Sequence, residues 1–181
     1  MLQDRDKILS LLQQADDASL TKEIISKIDQ LKKDRIEFYL TLSELEAIFK
    51  WKLRTQYVRQ KLHRENNTED NIRLITKTAF AIYHPDKNIE IALKLKTLSL
   101  IYGVGIPVAA SILTLCFPEE YSVIDFRNWR QIFKQKEKKS SYTINEYIKY
   151  LEIIKGLAEK YSFTTQEIDL AIWQKDINEF G

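Results

Sequence analysis

Asp125 stands between an apolar pair, Val123-Ile124, and a run, Phe126–Phe133, that is patterned as a helix. A carboxylate in that place can accept the first free amides of the helix as an N-cap. With a reference pKa of ~3.9 it is also an anion at neutral pH, able to stabilise a positive centre or orient a water. Some way before it, Tyr102-Gly103-Val104-Gly105 separates two apolar helical runs and holds two of the chain's 4 glycines. A helix that must stop, reverse and restart needs residues that tolerate positive φ and close backbone approach. Ile106-Pro107 opens the second run, and Pro is at ease in a helix's first turn. The first amides of that run have no intrahelical partner and favour an anion, above all a phosphate. Side chains suited to a flat or anionic ligand are Trp51-Lys52, Arg54, Arg127, Trp129 and Trp173.

The pattern apolar-x-Gly-Val-Gly-x-x-x-Ala, followed by an apolar run, a loop and Val-Ile-Asp, resembles the helix-hairpin-helix DNA glycosylase superfamily. The match covers residues 95–130 and is weak elsewhere. One later echo, Glu167-Ile168-Asp169-Leu170-Ala171-Ile172-Trp173, resembles the closing helix of the oxoguanine-type members. The resemblance implies an all-α, two-lobed helical bundle with a central helix-hairpin-helix motif. The hairpin would span about 90–117 and the Asp-bearing loop and helix about 118–134. Tyr102, Gly103, Val104 and Gly105 would then grip a DNA backbone, and Ala109 would let the hairpin helices approach. Asp125 would be catalytic, and Arg127 would meet a substrate phosphate where many members place a His. Trp51, Lys52, Arg54, Trp129 and Trp173 are the candidates for the base pocket; Lys52 would line it or hold a phosphate, while Trp51 also reads as core, Lys52 as a cap of its helix's C-terminus and most aromatics at helical spacing as core. The family also implies a monovalent cation at the hairpin carbonyls and no organic cofactor. Bifunctional members carry a lysine nucleophile two residues beyond the second glycine, a position filled here by Pro107. The resemblance therefore implies base release without lyase chemistry of that kind, and Lys52 substitutes only if the fold brings it beside Asp125.

Composition sets outer limits. At 181 residues the chain suits one helical domain over 1–181, or two lobes sharing an interface. An apolar fraction of 44% supports a real core, and 4 Gly with 3 Pro argue for long helices over a strand-rich sandwich. A single cysteine excludes an intramolecular disulfide and a cysteine-ligated iron–sulfur cluster, and fits the reducing cytoplasm. Two distant histidines argue against structural zinc. No apolar run approaches the ~20 residues that span a bilayer, and the acidic N-terminal stretch lacks the start of a secretion signal. A monomer is expected.

The net charge of +2 does not by itself indicate a nucleic-acid binder. Its distribution says more. Lys50, Lys52, Arg54, Arg59, Lys61 and Arg64 form one run without an acid. Arg127, Arg130, Lys134, Lys136, Lys138 and Lys139 form a second, interrupted by Glu137, while Asp4, Asp6, Asp16 and Asp17 make the N-terminus acidic. Such a molecule can orient on a polyanion, although charge runs are also ordinary solvated faces.

Helices are needed to bring these residues together, and capping signals predict them. Asp4 and Ser19 start two, Thr41 with Glu44 opens a third as a capping box, Thr143 begins a long helix, and Thr164-Thr165-Gln-Glu167 starts the last. Residues 54–64 read as a continuing basic helix with Tyr57, Val58 and Leu62 turned inward, and Asn67 reads as the cap of the next. Residues 36–40 read as extended, and 108–117 as a centrally buried helix that includes an inert Cys116. At mean lengths of ~11–12 residues this gives about eight to ten helices.

If Asp125 meets the sugar of a nucleotide, it can stabilise the positive charge that grows as an N-glycosidic bond breaks. The base must first leave the duplex stack, so the expected partner is duplex DNA with a flipped base. Two other readings fit the same residues. One is a non-catalytic hairpin module that docks on DNA with Asp125 as a cap alone. The other is a related enzyme acting on RNA or nucleosides.

Overall fold

A computed structural model describes residues 2, 4–16, 18–135 and 137–181, with the backbone alone at Thr55. Asp17 of the acidic group and Lys136 of the second basic run lie outside the described residues. The fold is all-helical, with no strand among those residues. In order come α1 (Arg5–Gln14), α2 (Ala18–Asp34), α3 (Leu42–Leu53), α4 (Lys61–Arg64) and α5 (Glu69–Ala81). They are followed by α6 (Lys87–Leu98), α7 (Ile106–Cys116), α8 (Phe126–Phe133), α9 (Ile144–Tyr161) and α10 (Thr165–Phe180).

Side-chain caps fix most of the helix starts. Asp4 accepts the Lys7 amide before α1, and Asp86 accepts the amides of Asn88 and Ile89 before α6. Thr41 with Glu44, Thr143 with Glu146 and Thr164 with Glu167 form reciprocal capping boxes at α3, α9 and α10. Each satisfies amides that would otherwise lack partners, a gain of ~1 kcal/mol per cap. Arg35 ties the 36–40 segment, which bends at Ile36 and Glu37, to the first of these boxes, with its guanidinium on both Glu44 oxygens at 2.7 and 2.9 Å.

The core is built round α7, which is buried throughout 108–116. Its polar members pose no penalty, because Ser111 and Thr114 donate to the carbonyls one turn back, Pro107 and Ala110. α2, α3 and α6 pack on α7, and α5 lies on α3 and α6. A second group gathers α1, α8 and α9 round α10, and α6 touches α9. Cys116 is fully enclosed, and burial pushes its thiol well up, consistent with a packing role. No helix is long and apolar enough to cross a membrane, among the residues described.

Three local expectations fail, each for a tertiary reason. Residues 54–64 are not one helix: Arg54 takes φ 47° and ψ −117°, a 3-10 turn (Arg54–Gln56) follows, and α4 lasts a single turn. Val58 and Leu62 are 75% and 78% exposed, so they do not turn inward. What goes inward is Arg64, whose guanidinium lies 3.8 Å over the Tyr57 ring and bonds Tyr57 O and Glu46. Thr68, not Asn67, caps α5. Asn67 is spent on the hairpin: its Nδ2 donates to Tyr102 O and its Oδ1 accepts from Tyr102 N, both at 3.0 Å. Finally, of the two hairpin glycines only Gly103 has positive φ, at 83°, and a Cβ there would sit 3.2 Å from Arg64 Cγ. Gly105 is ordinary extended backbone at φ −96°.

The Asn67 clamp makes a measurable difference. Asn67→Ala removes both bonds and leaves the Tyr102 amide and carbonyl to find water. Urea unfolding is expected to show a loss of about 1–3 kcal/mol, with faster hydrogen exchange at Tyr102.

Candidate active site

Asp125 is held by the segment before it. Residues 121–124 are buried and belong to no helix, and there is no strand among the described residues for them to bond. Side chains from three helices satisfy the backbone instead. Thr165 donates to Tyr121 O (2.6 Å), Tyr147 to Ser122 O (3.0 Å) and Tyr150 to Val123 O (2.9 Å). The Val123 amide donates to Asp169 Oδ2 at 2.9 Å, and Lys52 Nζ reaches Ile124 O at 3.5 Å. Buried backbone groups left unpaired are strongly disfavoured, so these contacts set where the segment ends. The same packing leaves Ser122 Oγ and Asn128 Oδ1 buried without a partner among the described residues, a penalty of about 1–3 kcal/mol each.

The segment delivers Asp125 as the N-cap of α8. Its Oδ1 accepts both the Arg127 amide (2.9 Å) and the Asn128 amide (3.0 Å). Oδ2 takes no hydrogen bond among the described residues. Half-buried, Asp125 lines a recess of about 480 Å³. The end of α3 gives that recess Trp51, Lys52 and Arg54; the start of α10 gives Gln166, Asp169, Leu170 and Trp173. Trp51 is anchored by its Nε1 on Thr21 at 3.1 Å, and the Arg54 guanidinium lies 4.9 Å over the Trp173 ring.

The charges in this recess perturb one another. Burial pushes the Lys52 amine down from the ordinary lysine range, against the pull of Asp125 and Asp169. Burial pushes the Asp169 carboxyl up, opposed by its bond from Val123 and reinforced by the charge of Asp125; Lys52 and Asn128 also oppose the rise. Desolvation moves both groups toward their neutral forms. Buried carboxyl and amine groups that share a cleft with their pKa values moved in this way are candidates for chemistry.

Lys52, Arg54, Asp125 and Trp173 also border a wider cleft of about 1450 Å³. Gly103, Gly105, Pro107 and Val108 line it from the hairpin, and Arg127, Lys138 and Lys139 from the α8 side. The amides of Gly103, Gly105 and Ile106 make no hydrogen bond among the described residues, since the Asn67 clamp and the first α7 bonds use other groups. The cleft thus combines open amides at a helix start with cationic side chains, a setting that favours an anion. The Gly103 and Val104 carbonyls likewise accept no hydrogen bond among the described residues, so these are the turn oxygens a monovalent cation would take. No group of three His, Cys, Asp or Glu is placed to hold a metal, among the residues described.

Most residues singled out from sequence meet here, but not all. Trp51, Lys52, Arg54, Asp125 and Trp173 share the recess. Trp129 does not: it is buried against Phe133 and Tyr142, with Nε1 on Gln135 at 2.7 Å. Lys139 adds its amine over the same indole at 5.3 Å. Arg127 borders the wide cleft but is also paired with Asp176 at 3.1 Å. Tyr102 is half-exposed with its backbone clamped, and Val104 is buried rather than displayed. Sequence reading missed Gln166 and gave Asp169 no role. The available signal was an acid on the apolar face of α10, between Ile168 and Ala171.

Arg54 offers a test of strain. Its φ and ψ lie outside the left-handed well that Lys134 and Ser162 occupy, a conformation that is costly for any residue with a Cβ. Arg54→Gly is therefore expected to be more stable than Arg54→Ala by about 1–2 kcal/mol in urea unfolding, although both lose the contact with Trp173. Equal midpoints would mean that the backbone there is relaxed.

Compared with protein-family models, with curated proteins and with solved structures, the chain finds no match, so the chemistry of the cleft must be read from its own atoms.

Proposed function

We propose that this protein binds duplex DNA and releases a modified or damaged base by hydrolysing its N-glycosidic bond. The observation that carries the reading is the free oxygen of Asp125 at the junction of two spaces. On one side lies the recess walled by Trp51 and Trp173. On the other lies the cleft with the open hairpin amides and the cations Arg54 and Lys138. A nucleotide spanning that junction has its base in the first space and its phosphate in the second.

The roles follow from the chemistry. Open amides at Gly103, Gly105 and Ile106 hold a backbone phosphate. An extruded base stacks on an indole, worth ~1–3 kcal/mol, and Gln166 offers both a donor and an acceptor to its edge. As the glycosidic bond lengthens, positive charge grows at C1′ and the Asp125 carboxylate stabilises it. Water then adds hydroxide to C1′ while its proton leaves with the base. Proton transfer to the base is open to Asp169, whose raised pKa lets it hold a proton at neutral pH. A monovalent cation on the hairpin carbonyls would strengthen the hold on phosphate. Pro107 denies the hairpin a lysine nucleophile, so release is hydrolytic as far as the hairpin is concerned.

Asp125→Asn separates the cap from the chemistry, because Asn caps a helix as well as Asp. The variant should unfold at the wild-type urea concentration yet lose at least about 100-fold in base release. A panel of lesion-bearing duplexes with abasic-site detection reads this directly, and undiminished release would sink the proposal. Duplex binding should also weaken steeply between 50 and 200 mM salt, falling by roughly one decade or more per few phosphates contacted. A nucleoside hydrolase would show no such slope.

A further inference from the structure

We propose that Arg54 makes the recess selective for nucleotides that carry a phosphate, by covering Trp173 until a phosphate in the cleft draws its guanidinium away. The inference rests on the reading above for the places of base and phosphate. Arg54 stands where the two spaces meet: like Trp173, it lines both the recess and the wider cleft. Its guanidinium lies 4.9 Å over the Trp173 ring. A guanidinium is planar and delocalised, and it stacks on an indole much as a base does. An incoming base therefore meets a cation on the aromatic surface it needs.

The surroundings of Arg54 suit an exchange of partners. Arg54 is exposed and Trp173 half-buried, so the cation moves while the ring stays. Burial lowers the guanidinium's pKa, opposed by the charge of Asp125 and aided by that of Arg127, a like charge near enough to repel it. A phosphate between the two guanidinium groups removes that repulsion and meets the forked donors arginine offers to oxyanions. The backbone of Arg54, at φ 47° and ψ −117°, is one that glycine adopts more readily, so the side chain is held here against local preference. Magnitudes decide the direction. A cation–π contact at an exposed site is worth about two- to fivefold in an equilibrium. A hydrogen bond from a charged donor is worth about tenfold or more. A base that arrives alone must displace the cation unaided, whereas a base that arrives with its phosphate supplies the guanidinium with a better partner.

The test compares 2-aminopurine 2′-deoxyriboside with its 5′-monophosphate on the full chain, read by quenching of the ring's fluorescence as it stacks on an indole. Arg54→Met keeps the Cβ and an unbranched stem and removes the cation. It should tighten the deoxyriboside by about two- to fivefold. It should weaken the monophosphate by about threefold or more, the lost charged hydrogen bond outweighing the uncovered ring. General damage to the fold does not move two ligands in opposite directions. In the wild-type chain, inorganic phosphate replacing chloride at equal ionic strength should tighten the deoxyriboside, a measurement that needs no variant. Both ligands weakening in the variant, both tightening, or neither moving overturns the proposal, as does a wild-type chain indifferent to phosphate. If neither ligand is quenched while a lesion-bearing duplex still binds and loses its base, the selectivity falls and base release stands. If the duplex does not bind either, both fall.

Discussion

A buried stretch of chain outside any helix, with no strand among the described residues to pair with, is the central constraint of this molecule. Residues 121–124 bring their backbone polar groups into the interior, where each needs a partner. Those partners are side chains: Thr165 and Asp169 from α10, Tyr147 and Tyr150 from α9, and Lys52 from α3. Sliding any of the three helices by one turn would strand a buried carbonyl or amide. The requirement therefore locks three helices to one another and fixes the point at which Asp125 emerges. The capping boxes at α3, α9 and α10 serve the same end, since they set where each helix begins and so where each donor stands.

Charge in this protein is decided by pairing more than by total. Asp176, with none of its side chain exposed, takes Arg130 on both oxygens and Arg127 on one, with Gln131 as a further donor. Burial pushes its carboxyl up, but the bonds from Arg130, Gln131 and Arg127 outweigh this and hold it below the ordinary aspartate range. Arg64 is similarly drawn to Glu46. Two runs that are free of acids, or nearly so, in the sequence are thus partly neutralised by acids from distant helices. Toward the cleft stands a smaller set of cations, Lys138 among them, beside amides that make no hydrogen bond among the described residues. A net charge of +2 says little about such a site, because the local field comes from groups within a few ångströms.

Asp169 and Asp125 illustrate two environments for one side chain. Asp125 sits at a helix start, where two amides meet one oxygen and leave the other open. Asp169 is enclosed, with both oxygens engaged by Val123 and Asn128, and is pushed toward its protonated form by burial. Divergent environments for paired carboxyls are the means by which one site can hold an anion and an acid at the same pH. Lys52 lines the same recess, and its charge opposes the rise that burial imposes on the Asp169 carboxyl.

The sequence alone determined what depends on near neighbours. The capping box at Thr41, the helix starts at Thr143 and Thr164, the cap at Asp4, the buried centre of α7, the reversal at Gly103 and the cap at Asp125 all involve groups within about four residues of one another, where chain geometry leaves few alternatives. Only the tertiary structure decided which inward-facing residues border a void. The Asn67 clamp joins residues 35 apart, the Asp169 bond to Val123 joins residues 46 apart, and the reach of Lys52 to Ile124 spans 72. The sequence offered Trp129 and Trp173 alike as pocket residues, and only packing sends one against Phe133 and Tyr142 and the other to the recess. It gave no sign that Arg64 would displace Val58 and Leu62 from the interior, ending a helix that local pattern would have continued. A repeat of 3.6 residues fixes a direction for each side chain, whereas a site is the place where directions from several helices converge, and that convergence is set by packing alone.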